Sequence, residues 1–434
     1  MTMLATDRPA AAVSGAARSP RHSLARSVLI TTTFIVPAVV VRVGGLHPEP
    51  VAALLIFGAA VVSASFLLAW AAEAARIDVS GGLATAVLAL IAVLPEYAVD
   101  LYYAYVSGHN PEYTQYASAN MTGSNRLLMG LGWPVVVLIG ILVARRAGTR
   151  KPGGLALQPS NRVELGFLLI AGVFAFVIPA SSQIHLATGV ALLAWFGFYL
   201  YKVSHGDVEE PDLIGTAAAL GDLADRRRHL AVVCLFATSG AVILFCAEPF
   251  ADNLVAAGGE LGIDRFLLVQ WLAPLASEAP EFIIATILAA RGRGTAAIAM
   301  LISAKVNQWS LLIGSLPVAH LLGGGGLSLA LDPRQIEEIL LTATQTMMGV
   351  ALLMGLRFNR ATAWALLVLF VVQFPIASTH GRLLLCGVYA AVALAGLAVN
   401  RRQLAATIRA PFFTTALRHS GHPHDPPSEP RLPT

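Results

Sequence analysis

Apolar residues in this chain are gathered into long runs, broken by short polar stretches. Runs of spanning length, about 20 residues each, lie at roughly 28–44, 51–75, 82–107, 115–145, 162–180 and 184–203. Polar residues 204–229 follow. Further runs lie at roughly 230–256, 264–290, 295–322, 335–356, 361–378 and 382–399. This pattern predicts an all-α polytopic membrane protein with about 12 transmembrane helices. Gly130, Gly132 and Pro134 interrupt the run at 115–145. The expected organisation is a tail at 1–27, a first membrane half at 28–203, a polar linker at 204–229, a second half at 230–399 and a disordered, basic, Pro-rich tail at 400–434. The first run lacks a small-residue cleavage site followed by a polar mature chain, so it is expected as a membrane helix rather than a signal peptide.

Composition agrees with the pattern. The 434 residues are 56% hydrophobic and only 12% charged, against about 25% charged in an average soluble protein. A soluble enzyme, a disordered chain and a disulfide scaffold are all disfavoured. Cys234, Cys246 and Cys386 lie in apolar runs without metal-ligand spacing and are expected as small buried hydrophobes. No cofactor motif is present, and the scattered basic residues do not make a nucleic-acid surface.

Loop charge sets an orientation, because cytoplasmic loops are enriched in Arg and Lys. With the N-terminus inside, the inside loops hold Arg76, Arg145, Arg146, Arg150, Lys151, Arg162, Lys202, Arg226–Arg228, Arg291, Arg293, Arg357, Arg360, Arg401 and Arg402. The outside loops hold Arg42, Arg265, Arg334 and Arg382. A multi-pass protein of the cell membrane with both termini cytoplasmic is therefore expected.

Two segments, about 82–132 and 264–317, repeat one another. Pro95-Glu96 matches Pro280-Glu281, and Ser118-Ala119 matches Ser303-Ala304, each 185 residues later. Each lead-in helix carries an acid, Glu73 or Glu248, expected near the interface. The orientation makes the helix of Glu96 run outward and that of Glu281 run inward. The repeats are therefore inverted, the arrangement of secondary transporters whose sites lie at mid-membrane.

Charges deep in spans cost roughly 2.5–3.5 kcal/mol each on insertion scales and mark function by default. Here they are Glu96, Asp100 and Arg126 in the first repeat, and Glu278, Glu281 and Lys305 in the second. Glu96 and Asp100 share a helix face, as do Glu278 and Glu281. Pro95 and Pro280 remove amide donors and free carbonyls beside these acids. Asn120, Ser124 and Asn125 add amide and hydroxyl oxygens, making an oxygen-rich site suited to hard cations such as Na⁺ or Ca²⁺. Lys305 and Arg126 are expected to compensate the acids' charge, and Lys305 to couple exchange to protons. His320 is a weaker relay candidate.

At these motifs the sequence resembles the sodium/calcium exchanger superfamily of cation antiporters. Leu94-Pro95-Glu96 and Ala119-Asn120-Met121-Thr122-Gly123-Ser124-Asn125 match the first of that family's two repeats, and Ser277-Glu278-Ala279-Pro280-Glu281 matches the second in part. The resemblance implies alternating-access antiport, with Glu96 and Glu281 as central cation-binding carboxylates and Ser124 as an oxygen ligand. The family's Gly-Asn of the second repeat is Ala304-Lys305 here, and the residue four after Ser124 is Leu128. These departures favour exchange of Na⁺ or Ca²⁺ against H⁺ over a high-affinity Ca²⁺ site. A carrier of a small organic or anionic solute, and an exchanger-derived scaffold that does not transport, stay open as alternatives.

Overall fold

The computed structural model describes residues 20–78, 88, 90–91, 93–148, 153–205, 213–376 and 378–413. The first half begins with α1 (Pro20–Val43), α2 (Pro50–Ala75) and α3 (Leu94–Val106). Helix α4 (Tyr113–Leu127) passes through a π turn at Leu128–Gly132 into α5 (Trp133–Arg146). Strand β1 (Gly154–Ala156), α6 (Asn161–Phe174), the short α7 (Val177–Ser181), β2 (Gln183–His185) and α8 (Leu186–Ser204) complete it. After α9 (Gly215–Gly221) come α10 (Asp225–Glu260), α11 (Arg265–Ala290) and α12 (Gly294–Asn307). A second π turn, Gln308–Leu312, leads into α13 (Ile313–Leu322). The chain continues with β3 (Ser328–Ala330), α14 (Pro333–Leu353), β4 (Arg357–Asn359), α15 (Arg360–Val372), α16 (Thr379–Val399) and α17 (Arg401–Phe413).

Ten helical stretches among the described residues are long and apolar enough to cross a membrane. Helices α3 and α15 occupy two further apolar runs but are 13 residues each. The glycines and proline at 130–134 do not split their run: Gly130 and Gly132 fall in the π turn and Pro134 in the first turn of α5, and the helix stays continuous. The protein is a multi-pass membrane protein. Its surface carries apolar side chains such as Leu55, Val173 and Leu394, while Asp100, Asn120, Asn125, Arg126, Lys305 and Glu338 are buried.

The two halves run in opposite senses. Where α3 ends, Gly108 and Gly323 bring its backbone against the end of α13: a Cβ on Gly323 would lie 1.8 Å from Tyr105 O. Helix α11 starts on that same face, where Arg334 at the start of α14 reaches Asp264 at 2.7 Å. So α3 ends where α11 begins. Below, the Asp264 face and the Arg291 face denote the two sides. Strand β2 pairs antiparallel with β3 on the Asp264 face, and β1 with β4 on the Arg291 face, each joining loops from both halves.

One crossing shows how tight the centre is. Pro274 has no N–H, so the carbonyl of Gln270 loses its helical donor. Gly123 of α4 packs onto that carbonyl, and a Cβ there would lie 1.7 Å from Gln270 O. Only glycine permits this contact.

Two expectations, on the disordered tail and on Cys234, need correction here. The tail assigned to 400–434 is helical over Arg401–Phe413, because Thr407, Ala410 and Pro411 find a buried seat on α6. The linker is structured where described, with α9 against α2 and Arg228 of α10 hydrogen-bonded to Asp78. Those bonds, with the guanidinium's charge, hold the Asp78 carboxyl below its usual range. Cys234 is exposed on α10, while Cys246 and Cys386 are buried as expected. Residues 1–19 and 414–434, the linker acids Glu209, Glu210 and Asp212, and 79–87 at the start of the first repeat lie outside the described residues.

Candidate cation site

Four helices build the site. Helix α3 begins at Leu94 with Pro95 in its first turn, where the missing N–H has no bond to lose. Pro280, by contrast, lies inside α11 together with Pro274. The expectation that both prolines free a carbonyl in mid-helix therefore holds for α11 only. Helices α4 and α12 each enter a π turn in mid-span, a local widening often found where a helix serves a site.

Glu96 and Glu278 are buried, with 6% and 2% of their surface exposed. Gln308, at the start of the second π turn, ties them together. Its Nε2 donates to Glu96 Oε1 at 3.2 Å and to Glu278 Oε1 at 2.9 Å. One carboxylate from each repeat is thus held by one amide. Glu281 lies within electrostatic range of both and is only half-buried. Ser124 lies close to Glu96 and Glu278, and its buried Oγ has no hydrogen-bond partner. One turn along α3, Asp100 is fully buried beside Asn120, and neither side chain has a hydrogen-bonded N or O atom. Glu278 Oε2 and Gln308 Oε1 are unpartnered too. The centre therefore offers oxygen atoms from two carboxylate pairs, a hydroxyl and amides. Among the described residues no three His, Cys, Asp or Glu converge as a metal cluster, so a cation here must draw on the neutral oxygens as well.

Lys305 is fully buried, but its Nζ donates to the backbone oxygen of Asn125 and, at 2.8 Å, to Asn125 Oδ1. Asn125 Nδ2 in turn donates to Met121 O at 2.9 Å. The Asn125 carboxamide is therefore engaged by Lys305 and by the backbone of its own helix. The ammonium stays within electrostatic range of Glu278 and Glu96 without pairing with either.

Arg126 belongs elsewhere. Its Nη2 pairs with Glu338 of α14 at 2.5 Å, its Nη1 donates to Gln373 at 3.1 Å, and its guanidinium lies 5.1 Å from the Trp271 ring centroid. Gln270 also donates to Glu338, at 3.2 Å, and Arg382 approaches it at 3.6 Å. The expectation that Arg126 neutralises the four central acids is corrected: a carboxylate from outside the repeats already pairs with it. Gln308 and Glu338 were missed in sequence. A neutral amide carries no charge signal, although Asn307-Gln308 is a polar pair within an apolar run. Glu73 and Glu248 make surface pairs with Arg76 and Arg42. His320 is held by Ser107 at 2.7 Å, on the Asp264 face.

The family described as sodium/calcium exchanger protein matches residues 49–204 and 231–377, taking in both repeats. Among solved structures, the H⁺/Ca²⁺ exchanger CAX is 37% identical, over 89% of this chain and 97% of that one, with a TM-score of 0.84. Native YfkE shares the fold at 14% identity, over 82% of this chain and 99% of its own, with a TM-score of 0.57. The sodium-calcium exchanger NCX_Mj is 18% identical over 81% of this chain and 100% of its own, at a TM-score of 0.48. Among curated proteins none matches significantly. With two inverted repeats meeting at buried acids, the chain belongs to the sodium/calcium exchanger family and is a cation antiporter.

Proposed function

We propose that this antiporter exchanges Na⁺ or Ca²⁺ against H⁺ by alternating access, with Glu96 and Glu281 as the central cation-binding carboxylates. Glu278, Asp100, Asn120 and Ser124 supply the remaining oxygens. The observation that carries this reading is the Gln308 bridge, which ties Glu96 of the first repeat to Glu278 of the second, with Glu281 within electrostatic range of both. Acids so placed in a low-dielectric interior require positive charge, and metal ions and protons are the two that can come and go. The 37% identical relative is named as an H⁺/Ca²⁺ exchanger, which supports the proton as counter-ion. The Arg291 face is cytoplasmic in this reading, as are both termini, and the membrane is the cell membrane.

Binding alone tests the exchange of ion for proton. Adding Ca²⁺ or Na⁺ to purified protein in weakly buffered detergent should release protons to a pH indicator, and Glu281→Gln should suppress the release. Cation binding without proton release would contradict the coupling.

Lys305 is a basic group within electrostatic range of Glu96 and Glu278 that compensates their charge and contributes to the site's pH response. A unit charge within electrostatic range of the site, at an effective dielectric near 20, is worth on the order of 1–2 kcal/mol. Lys305→Gln should therefore tighten cation binding about tenfold and flatten the pH dependence of exchange. Proteoliposome flux over a range of pH measures both, and a variant with unaltered affinity and pH profile removes the lysine from the mechanism.

A further inference from the structure

Helix α17 carries a feature that the exchange site does not use. Helical spacing divides its surface into three adjoining arcs. Thr407, Ala410 and Pro411 form the buried arc against α6. Gly166 lets these helices touch, since a Cβ there would lie 2.4 Å from Thr407 O and 2.6 Å from Pro411 Cδ. Beside that arc, Leu404 and Ile408 face a groove of about 460 Å³, lined also by Leu169 and Phe174 of α6, Met347 of α14 and Leu397 of α16. The third arc holds Arg401, Arg402 and Arg409, all exposed. None of the three makes an ion pair among the described residues.

The groove follows α6 away from the Arg291 face. From Leu169 to Phe174, the span of α6 that lines it, is about 7.5 Å at 1.5 Å per residue, about half of the roughly 15 Å of hydrocarbon in one leaflet. An apolar slot bordered by an exposed arc of arginines on the same helix has the complementarity of a lipid with a negative headgroup. A zwitterionic lipid would fill the slot and offer a phosphate too, but its ammonium would set a second positive charge beside the arginines, so a headgroup of net negative charge is favoured. We propose that this groove holds one anionic phospholipid, with an acyl chain laid along α6 and its phosphate on the arginine arc of α17.

The test is native mass spectrometry of the full chain in detergent, offered equal amounts of phosphatidylglycerol and phosphatidylcholine. A basic residue near a membrane surface favours an anionic lipid by about fivefold. The wild-type protein should retain phosphatidylglycerol at least about tenfold over phosphatidylcholine. The exposed triple variant Arg401→Gln, Arg402→Gln, Arg409→Gln should lose that preference, and Ile408→Trp, which fills the groove from its open side, should lower retention of both lipids. Soluble glycerol phosphate should not compete. Equal retention of the two lipids by the wild type, a preference that survives the triple variant, full binding by Ile408→Trp, or displacement by glycerol phosphate would each overturn the assignment.

Discussion

Glutamine in place of Glu96, or separately in place of Glu281, will abolish cation exchange in reconstituted vesicles while the protein still folds. Each substitution keeps the side chain's shape and removes one negative charge. At Glu96 the amide of Gln308 can still find an oxygen to donate to, so packing between α3 and the π turn after α12 survives. The cation loses a charged ligand in a site with few others to spare. Removing one partner of a buried charge pair costs about 3 kcal/mol or more, which is about a hundredfold in affinity. Radiotracer uptake into proteoliposomes gives the rate, and size-exclusion in detergent confirms the fold. Glu73→Gln is the control. Its carboxylate lies at a surface pair with Arg76 at 3.5 Å, and exchange should be unchanged. Wild-type rates in either central variant would show that the repeats' acids are not the cation site.

The second large effect concerns stability. Glu338→Ala leaves the Arg126 guanidinium buried without its carboxylate, and the same acid also anchors Gln270 and Arg382. Breaking a buried ion pair from one side costs about 3–5 kcal/mol. Glu338→Ala should therefore unfold at much lower temperature, as followed by thermal denaturation of the purified protein. Replacing both partners, Arg126→Leu with Glu338→Leu, should recover most of the loss, because no unpaired charge then remains. A double variant as unstable as the single would show that the pair does more than neutralise itself. Exchange by the double variant at rates near wild type would place Arg126 outside the transport cycle.

How much of this was legible in the sequence follows from what each signal measures. Apolar runs give depth in the membrane, and loop charge gives side. Together with the matched Pro-Glu pairs they singled out Glu96, Glu278, Glu281 and Lys305 as charges within the spans, and the structure finds Glu96, Glu278 and Lys305 buried. Depth does not say which way a side chain turns across a bundle. Arg126 lies two residues after Ser124, yet it points to Glu338, 212 residues later and outside both repeats. Lys305 likewise turns to Asn125 rather than to the acids at its own depth. The Pro-rich composition after residue 400 hid α17, although Leu404 and Ile408 one turn apart, with Thr407, Ala410 and Pro411 on the adjoining arc, already mark a helix face. Pro95 and Pro280 look equivalent in sequence, but one begins a helix and the other lies within one, a difference set by residues beyond the motif.

Movement of a metal cation one way and protons the other is measured by flux in sealed proteoliposomes carrying a pH gradient, with Ca²⁺, Na⁺ and K⁺ tested in turn and internal pH recorded at the same time. Ca²⁺ or Na⁺ uptake should be driven by an outward proton gradient, collapse when the gradient is dissipated, and be accompanied by alkalinisation of the lumen. Cation uptake indifferent to the gradient, or no cation-dependent proton movement with any of the three ions, would contradict the exchange of cation for proton.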